Sequence, residues 1–268
     1  MKQSVCNKIF IGVLFFTLCS RSTHAFSFND ELSDDARSVA LGNIRALNGG
    51  FGNPAFISFL DAKLASISVH NRFQMEELNT CRMSLLYPNR ILDAGMQMSS
   101  FGYEDYRITS LGMLLAKRLH PNIALGAKLL YVNRSSFADE QSQSGIYAGI
   151  GMRMIVSPTV RVGLTAENLA TTFDEKAYSL HAGIDYTVPD ICTMLFEASS
   201  GLGNPFECSV GVEFNMLDCL CFRTSMRMPV LLPALGASCR FDRMTVSVGF
   251  LLHEILGNSS IIEVGYEF

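Results

Sequence analysis

The chain has 268 residues, of which 49% are hydrophobic and only 17% charged, and its net charge is -4. That composition is too apolar for a disordered chain and long enough for one or two domains. No Lys/Arg block occurs and no basic field is available, which excludes nucleic acid as a partner.

At the N-terminus, Lys2 and Lys8 lead into the apolar run "IFIGVLFFTLC". Thr23-His24-Ala25 then puts small residues at the two positions a signal peptidase reads. Residues 1–25 are read as a secretory signal peptide. The apolar run, about a dozen residues, is shorter than the ~20 a spanning helix needs. A lipoprotein signal ending at Cys19 is the rival reading, disfavoured by the bulky Leu18 before it. Beyond residue 25 no apolar run is long enough for a transmembrane helix, so only a closed β-barrel would carry the mature chain across a bilayer.

Residues 26–62 show no sustained period of two. Ser33 is expected to cap a short helix, with Asp34 and Asp35 favouring its positive N-terminus and Gly42 ending it. The stretch "NGGFGNP" offers a tight backbone path before Pro54 fixes φ. Asn53-Pro54-Ala55 reads either as part of a barrel-filling segment or as an ordinary turn opening a second short helix.

From residue 63 to 268 the period is two. In "VRVGLTAENL", Val160, Val162, Leu164 and Ala166 alternate with Arg161, Gly163, Thr165 and Glu167. The same dyad recurs in "AYSLHAGIDY", "ECSVGVEF" and "TVSVGFLL". Short turns fall at 88–90, 120–122, 157–159, 188–190, 215–218 and 241–243, and between them lie "FQMEEL", "YEDYR", "SSFADEQSQS", "ATTFDEKA", "SGLGNP", "MPVLLP" and "HEILGNS". Six turns and seven loops separate about fourteen strands, with roughly 15 residues per strand and connection, which suits the tilted ~9–11-residue strands of an outer-membrane barrel. The alternative is a soluble β-sandwich, which also alternates. The expected fold is all-β: a transmembrane antiparallel β-barrel of about 14 strands with an N-terminal lumenal hatch. An even strand number puts both termini on the periplasmic side of a Gram-negative outer membrane.

The inward parity carries both signs of charge: Lys128, Arg153, Arg161, Glu167, His181, Asp185, Glu207, Glu213, Arg223, Arg227, Glu263 and Glu267. A selective porin needs one sign to dominate, so these are expected to pair with one another or with the hatch. Of the cysteines, Cys81, Cys192, Cys208, Cys219, Cys221 and Cys239 follow the signal. Cys219 and Cys221 share the inward parity and Cys239 the lipid parity, so they are read as mostly free. No metal or cofactor motif is found; "HEILG" has Gly257 where a zinc helix needs His. The best catalytic fragment is Ser179-x-His181 with Asp185 on the same strand face, since Ser and His two apart on a strand can hydrogen-bond as nucleophile and base, and outer-membrane phospholipases use a strand-borne Ser and His. It is read here as a lumenal hydrogen-bond network, and the chain as not an enzyme.

The chain ends on "IIEVGYEF", with Ile262, Val264, Tyr266 and Phe268 on one face. This resembles the terminal aromatic signature recognised by the outer-membrane barrel assembly machinery.

Before the strands, "DDARSVALGNIRALNGGFGNPAFISF" resembles the N-terminal segment of the PorV/PorQ family of outer-membrane proteins, relatives of the FadL hydrophobic-compound transporters. Ala36, Arg37, Ser38, Gly42, Asn53, Pro54 and Ala55 carry the likeness, and the strand rhythm extends it to the C-terminus. The resemblance implies fourteen strands and an N-terminal segment folded into the lumen. It also implies an accessory role in type IX protein secretion, with secretion-system components or secreted cargo as partners beside outer-membrane lipid. FadL-like passage of small hydrophobic molecules is the alternative it implies.

Overall fold

The computed structural model describes residues 35–136, 142–172, 178–202, 204–253 and 256–268. The signal peptide expectation and the Ser33 cap lie outside them. Fourteen strands run in chain order: β1 (Leu64–Asn71), β2 (Asn79–Tyr87), β3 (Asp93–Gly102), β4 (Tyr106–His120), β5 (Ile123–Ser136), β6 (Gln143–Ser157), β7 (Val160–Thr171), β8 (Ser179–Val188), β9 (Cys192–Gly201), β10 (Asn204–Leu217), β11 (Leu220–Met228), β12 (Leu232–Phe241), β13 (Met244–His253) and β14 (Gly257–Glu267). Each pairs antiparallel with its neighbours in sequence, and β1 pairs with β14 from Leu64–Glu267 to Asn71–Ser260, closing the barrel. Closure leaves no unpaired edge, which a strand in lipid cannot tolerate. No helix is long and apolar enough to cross a membrane among the described residues.

The dyad explains the wall. Alternate side chains of a strand point to opposite faces, and the outward set is apolar and exposed: Ile67, Val69, Met83, Leu85, Met96, Met98, Met113, Leu115, Leu125 and Leu129 among others. Exposed aromatics gather towards both ends of this belt, with Tyr87, Tyr186, Phe241 and Tyr266 at the short-turn end and Tyr103, Tyr106, Tyr178 and Phe206 at the loop end. A continuous apolar band between two aromatic girdles is matched by a bilayer and not by water. The fold is that of an outer-membrane β-barrel.

The seam between the first and last strands has its own clasp. The Phe268 N–H donates to the Lys63 carbonyl (3.0 Å), and the Lys63 ammonium lies 4.5 Å from the Tyr87 ring centroid and 5.7 Å from that of Phe268. Ile262, Val264, Tyr266 and Phe268 all face outward. Strand boundaries run further into the connections than the sequence indicates. The turn expected at 215–218 reduces to Asp218 and Cys219, because β10 continues to Leu217. Cys219 therefore sits in a turn, where strand parity does not assign its direction, and all six cysteines are free thiols.

Candidate functional site

The segment before β1 occupies the inside of the ring. Its described part begins with α1 (Ala36–Ala40), capped by Asp35, whose carboxylate accepts from the Ser38 N–H (2.7 Å). Asp35 takes the role expected of Ser33 because the helix begins at Ala36. Gly42 has φ +74°, a conformation costly for a residue with a Cβ. There the Gly42 N–H donates to Val39 O (3.3 Å) and the Asn43 N–H to Ser38 O (2.8 Å), the paired bonds of a Schellman ending. Asn53 then caps a 3-10 turn, Pro54–Phe59, by accepting from the Ala55 N–H (3.1 Å), with Pro54 in the first position. Both readings of Asn53-Pro54-Ala55 hold together: the trio opens a helical turn, and that turn lies in the lumen.

Wall contacts follow the segment across the barrel. The Ala36 N–H donates to Glu263 Oε2 (2.8 Å) on β14, Ser225 Oγ on β11 donates to Ala40 O (3.1 Å), and Ser209 Oγ on β10 donates to Gly42 O (2.9 Å). Arg37 grips Glu213 through Nε (3.0 Å) and Nη2 (2.7 Å), and Arg223 Nε donates to the same carboxylate (2.7 Å). Burial opposes the Arg37 charge, but Glu213 outweighs it and holds the guanidinium pKa above its ordinary value. Farther along, Asn53 Nδ2 bridges Ala46 O (2.7 Å) and Met152 O (3.0 Å) on β6. Ser58 Oγ donates to Asp93 on β3 (2.5 Å), and Arg118 on β4 donates to Ser58 O.

Such close approach needs wall positions without side chains. A Cβ on Gly163 of β7 would strike the Ala46 carbonyl, and one on Gly126 of β5 would come within 2.7 Å of the Pro54 and Ala55 backbone.

At the centre is a buried ion cluster. Glu167 on β7 accepts from Lys128 Nζ (2.6 Å) on β5 and from Arg45 Nη1 (3.0 Å) on the lumenal segment; Arg45 is 4% exposed and Glu167 3%. Lys128 reaches over β6 because Gly149 stands between, and it also donates to Phe51 O. Further ion pairs lie within the wall itself. Asp185 takes Arg161 Nε at 2.5 Å and Arg153 at 3.8 Å, and Arg227 pairs with Glu207 at 2.5 Å. Glu263 lies 3.6 Å from Arg82 on β2. Glu267 sits at the short-turn rim and pairs with exposed Arg240 at 2.8 Å.

The lumen is not polar all round. On β3–β6, inward-facing Phe101, Ile108, Val132 and Tyr147 form an apolar cluster at the loop end, joined by Leu78 and Leu130. A second cluster below it, Leu86, Leu114 and Ala116 with Phe51 and Ile57, packs the segment against β2 and β4. The inward charges expected from sequence left these apolar residues unnamed. Their signal was present in apolar residues on the inward parity of β4, Ile108, Leu114 and Ala116. Between the apolar cluster and the ion cluster is a cavity of about 30 Å³, lined by Arg45, Phe51, Lys128, Leu130, Tyr147 and Glu167 among others. It has room for a water or two. Beside it β7 bulges: Glu167, Asn168 and Leu169 stand against Gly149 alone, with Asn168 at φ 56°.

Ser179 and His181 are in contact, with Ser179 Oγ 3.2 Å from His181 Nε2. Asp185 is not their partner, being held by Arg161 and Arg153. Glu197 on β9 is, at 3.4 Å from His181 Nδ1, and it also accepts the Arg45 N–H (2.8 Å) and the Leu47 N–H (3.3 Å). Its own parity, shared with Leu195 and Thr193 on the inner face, was the sequence signal for it. No group of acidic, His and Cys residues able to hold a metal occurs among the described residues.

No family model matches the chain, and neither does any curated protein. Solved structures do. A TodX deltaS2S3 mutant monoaromatic hydrocarbon channel superposes with a TM-score of 0.69 at 9% identity, covering 89% of this chain and 100% of that one. The CymD monoaromatic hydrocarbon channel gives 0.64 at 13% identity, covering 86% and 96%. A Pseudomonas aeruginosa FadL homologue gives 0.60 at 10% identity, covering 88% and 99%. At these identities the likeness is one of fold: a closed barrel of the outer-membrane type.

Proposed function

We propose that this barrel admits small hydrophobic molecules across the outer membrane, with the N-terminal segment as a hatch and both termini on the periplasmic side. The apolar lining on β3–β6 carries the reading. Water-filled porins are polar within, whereas here one side of the mouth is built from Phe101, Ile108, Val132 and Tyr147. These residues are buried, Ile108 and Val132 fully so, and an apolar solute reaches them once the packing at the loop end opens. The cavity beneath is too small for an aromatic ring, so onward passage requires the hatch to yield or the wall to part, and the β7 bulge beside the cavity is one place where the wall's pairing is irregular. Proteins sharing this fold include channels for monoaromatic hydrocarbons. The secretion-accessory reading rests on sequence resemblance alone.

The test is uptake of radiolabelled toluene by cells carrying the barrel in the outer membrane, against cells without it. Uptake should be faster with the barrel, and Val132→Asp should abolish the gain in a barrel that still folds. Equal uptake in both strains rejects the proposal. Co-purification of stable partner proteins from native membranes would favour the secretion role instead.

A further inference from the structure

Two thiols at the short-turn end of the barrel play no part in the transport reading. Cys219 shares the turn between β10 and β11 with Asp218, and Cys239 lies on β12 between Ala237 and the exposed girdle residue Phe241 on the outward face. Strand parity alone would put them on opposite sides of the wall, which a disulfide cannot cross. The turn removes that constraint.

β11 begins at Leu220, which stands directly opposite Cys239. One residue earlier the chain has left the strand but is still tied to β12, because the Arg240 N–H donates to the Cys219 carbonyl (2.8 Å). Cys219 and Cys239 are thus on adjacent chains and one residue out of register. With ~5 Å between strands and ~3.4 Å along one, their Cα atoms are about 6 Å apart. Disulfides span Cα separations of about 4.4–6.8 Å. The Cys219 thiol is a hydrogen-bonding partner of the Cys239 thiol, which puts both sulfurs on the outer side of the wall. Cys219 is exposed, so a reagent in water reaches it.

The other cysteines are placed differently. Cys221 turns its thiol to the Phe222 carbonyl (3.8 Å), and Cys192 is buried. Cys81 stands opposite Val69 and Ser100, and Cys208 opposite Ala198 and Met228, with no second thiol in register.

We propose that Cys219 and Cys239 are a disulfide site, oxidised by thiol–disulfide exchange with a disulfide-bearing oxidant. Cys219 Sγ loses its proton and attacks one sulfur of the oxidant, whose S–S bond breaks; the sulfur that leaves takes up a proton. Cys239 Sγ, deprotonated in turn, attacks Cys219 Sγ and displaces the second sulfur of the oxidant, which takes up the other proton. The cysteine pair gives up two electrons and the oxidant becomes two thiols. The new bond clamps the β10–β11 turn to the end of β12. Those three strands carry Ser209, Ser225 and Gly236, the wall positions against which the end of α1 rests, so the modification fixes the part of the ring that receives the hatch.

The test uses purified full-length barrel in detergent, shown to be folded by its heat-modifiable mobility, incubated with oxidised glutathione. Remaining thiols are blocked with N-ethylmaleimide in denaturant, and the chain is cut with chymotrypsin, which cleaves after Leu220 and so separates Cys219 from Cys221. Mass spectrometry should find the Cys219 and Cys239 peptides joined, lighter by two hydrogens than the free pair, with neither joined to any other cysteine. Cys219→Ser should lose the cross-link and leave Cys239 alkylated, while Cys221→Ser should keep it. Folded wild-type barrel in which both thiols are alkylated, or in which each carries glutathione instead of the other, overturns the proposal, as does a bond from Cys219 to Cys221. The assay involves neither transport nor membrane orientation, so its outcome is separate from that of the uptake test.

Discussion

Replacing Glu167 by Gln tests how the hatch is held. Glu167 is the shared anion of two buried cations, Lys128 at 2.6 Å and Arg45 at 3.0 Å. Gln is nearly isosteric but uncharged, so both cations lose their counter-ion in a site that water scarcely reaches. Removing one partner of a buried pair costs about 3–5 kcal/mol. Lys128 keeps the Phe51 and Gly52 carbonyls, and Arg45 has further contacts, which places the loss near 3 kcal/mol on that range. Arg45 belongs to the hatch and Glu167 to the wall, so the loss falls on the docked hatch. At 1.4 kcal/mol per factor of ten, the undocked population rises about 100-fold. Single-channel recording in planar bilayers reads this directly: opening events should become about 100-fold more frequent. Glu267→Gln is the control, since its exposed rim pair with Arg240 is worth at most about 1 kcal/mol. A folded Glu167→Gln barrel as silent as wild type would show that the cluster does not hold the hatch.

Other perturbations probe separate parts of the design. Gly163→Val drives a side chain into the Ala46 carbonyl and should cost about 1–3 kcal/mol of hatch docking, seen as faster proteolysis of the N-terminal segment with the barrel intact. Deleting residues 26–60 behind the signal should turn a poorly conducting barrel into one of large, steady conductance; no change in a folded deletion variant would exclude a lumen-blocking role. Phe268→Ser removes the outward ring beside Lys63 and should lower the yield of heat-modifiable barrel in the outer membrane, with unchanged assembly counting against a terminal recognition signal. An epitope in the 135–143 connection should be reached by antibody on intact cells, and one at 157–159 only after permeabilisation; the reverse labelling would invert the orientation.

Local chemistry made much of this architecture readable before any coordinates. A strand's side chains alternate whatever its neighbours are, so "VRVGLTAENL" and "TVSVGFLL" identify strands by themselves, and counting turns between such runs yields fourteen. Gly42 likewise declares a helix end, because only its own backbone decides φ. Parity also separates an outer from an inner set of side chains.

Which inner residues meet is a different matter, because it depends on register between strands and on what fills the space they enclose. Asp185 lies four residues from His181 along one strand, about 13 Å at 3.3 Å per residue. Glu197, sixteen positions away in sequence, is beside it because β9 pairs with β8 through Gly183–Glu197. Lys128 finds Glu167 across an intervening strand only because Gly149 leaves room. The gathering of Phe101, Ile108, Val132 and Tyr147 into one apolar cluster is likewise a property of the closed ring, since each strand carries only its own short row of inward residues. Sequence determined the strands and their faces because those are set within a few residues. The tertiary structure alone decided the ion pairs, the apolar cluster at the loop end and the contacts of His181 with Ser179 and Glu197, because each is a contact between segments whose separation in space the local pattern does not encode.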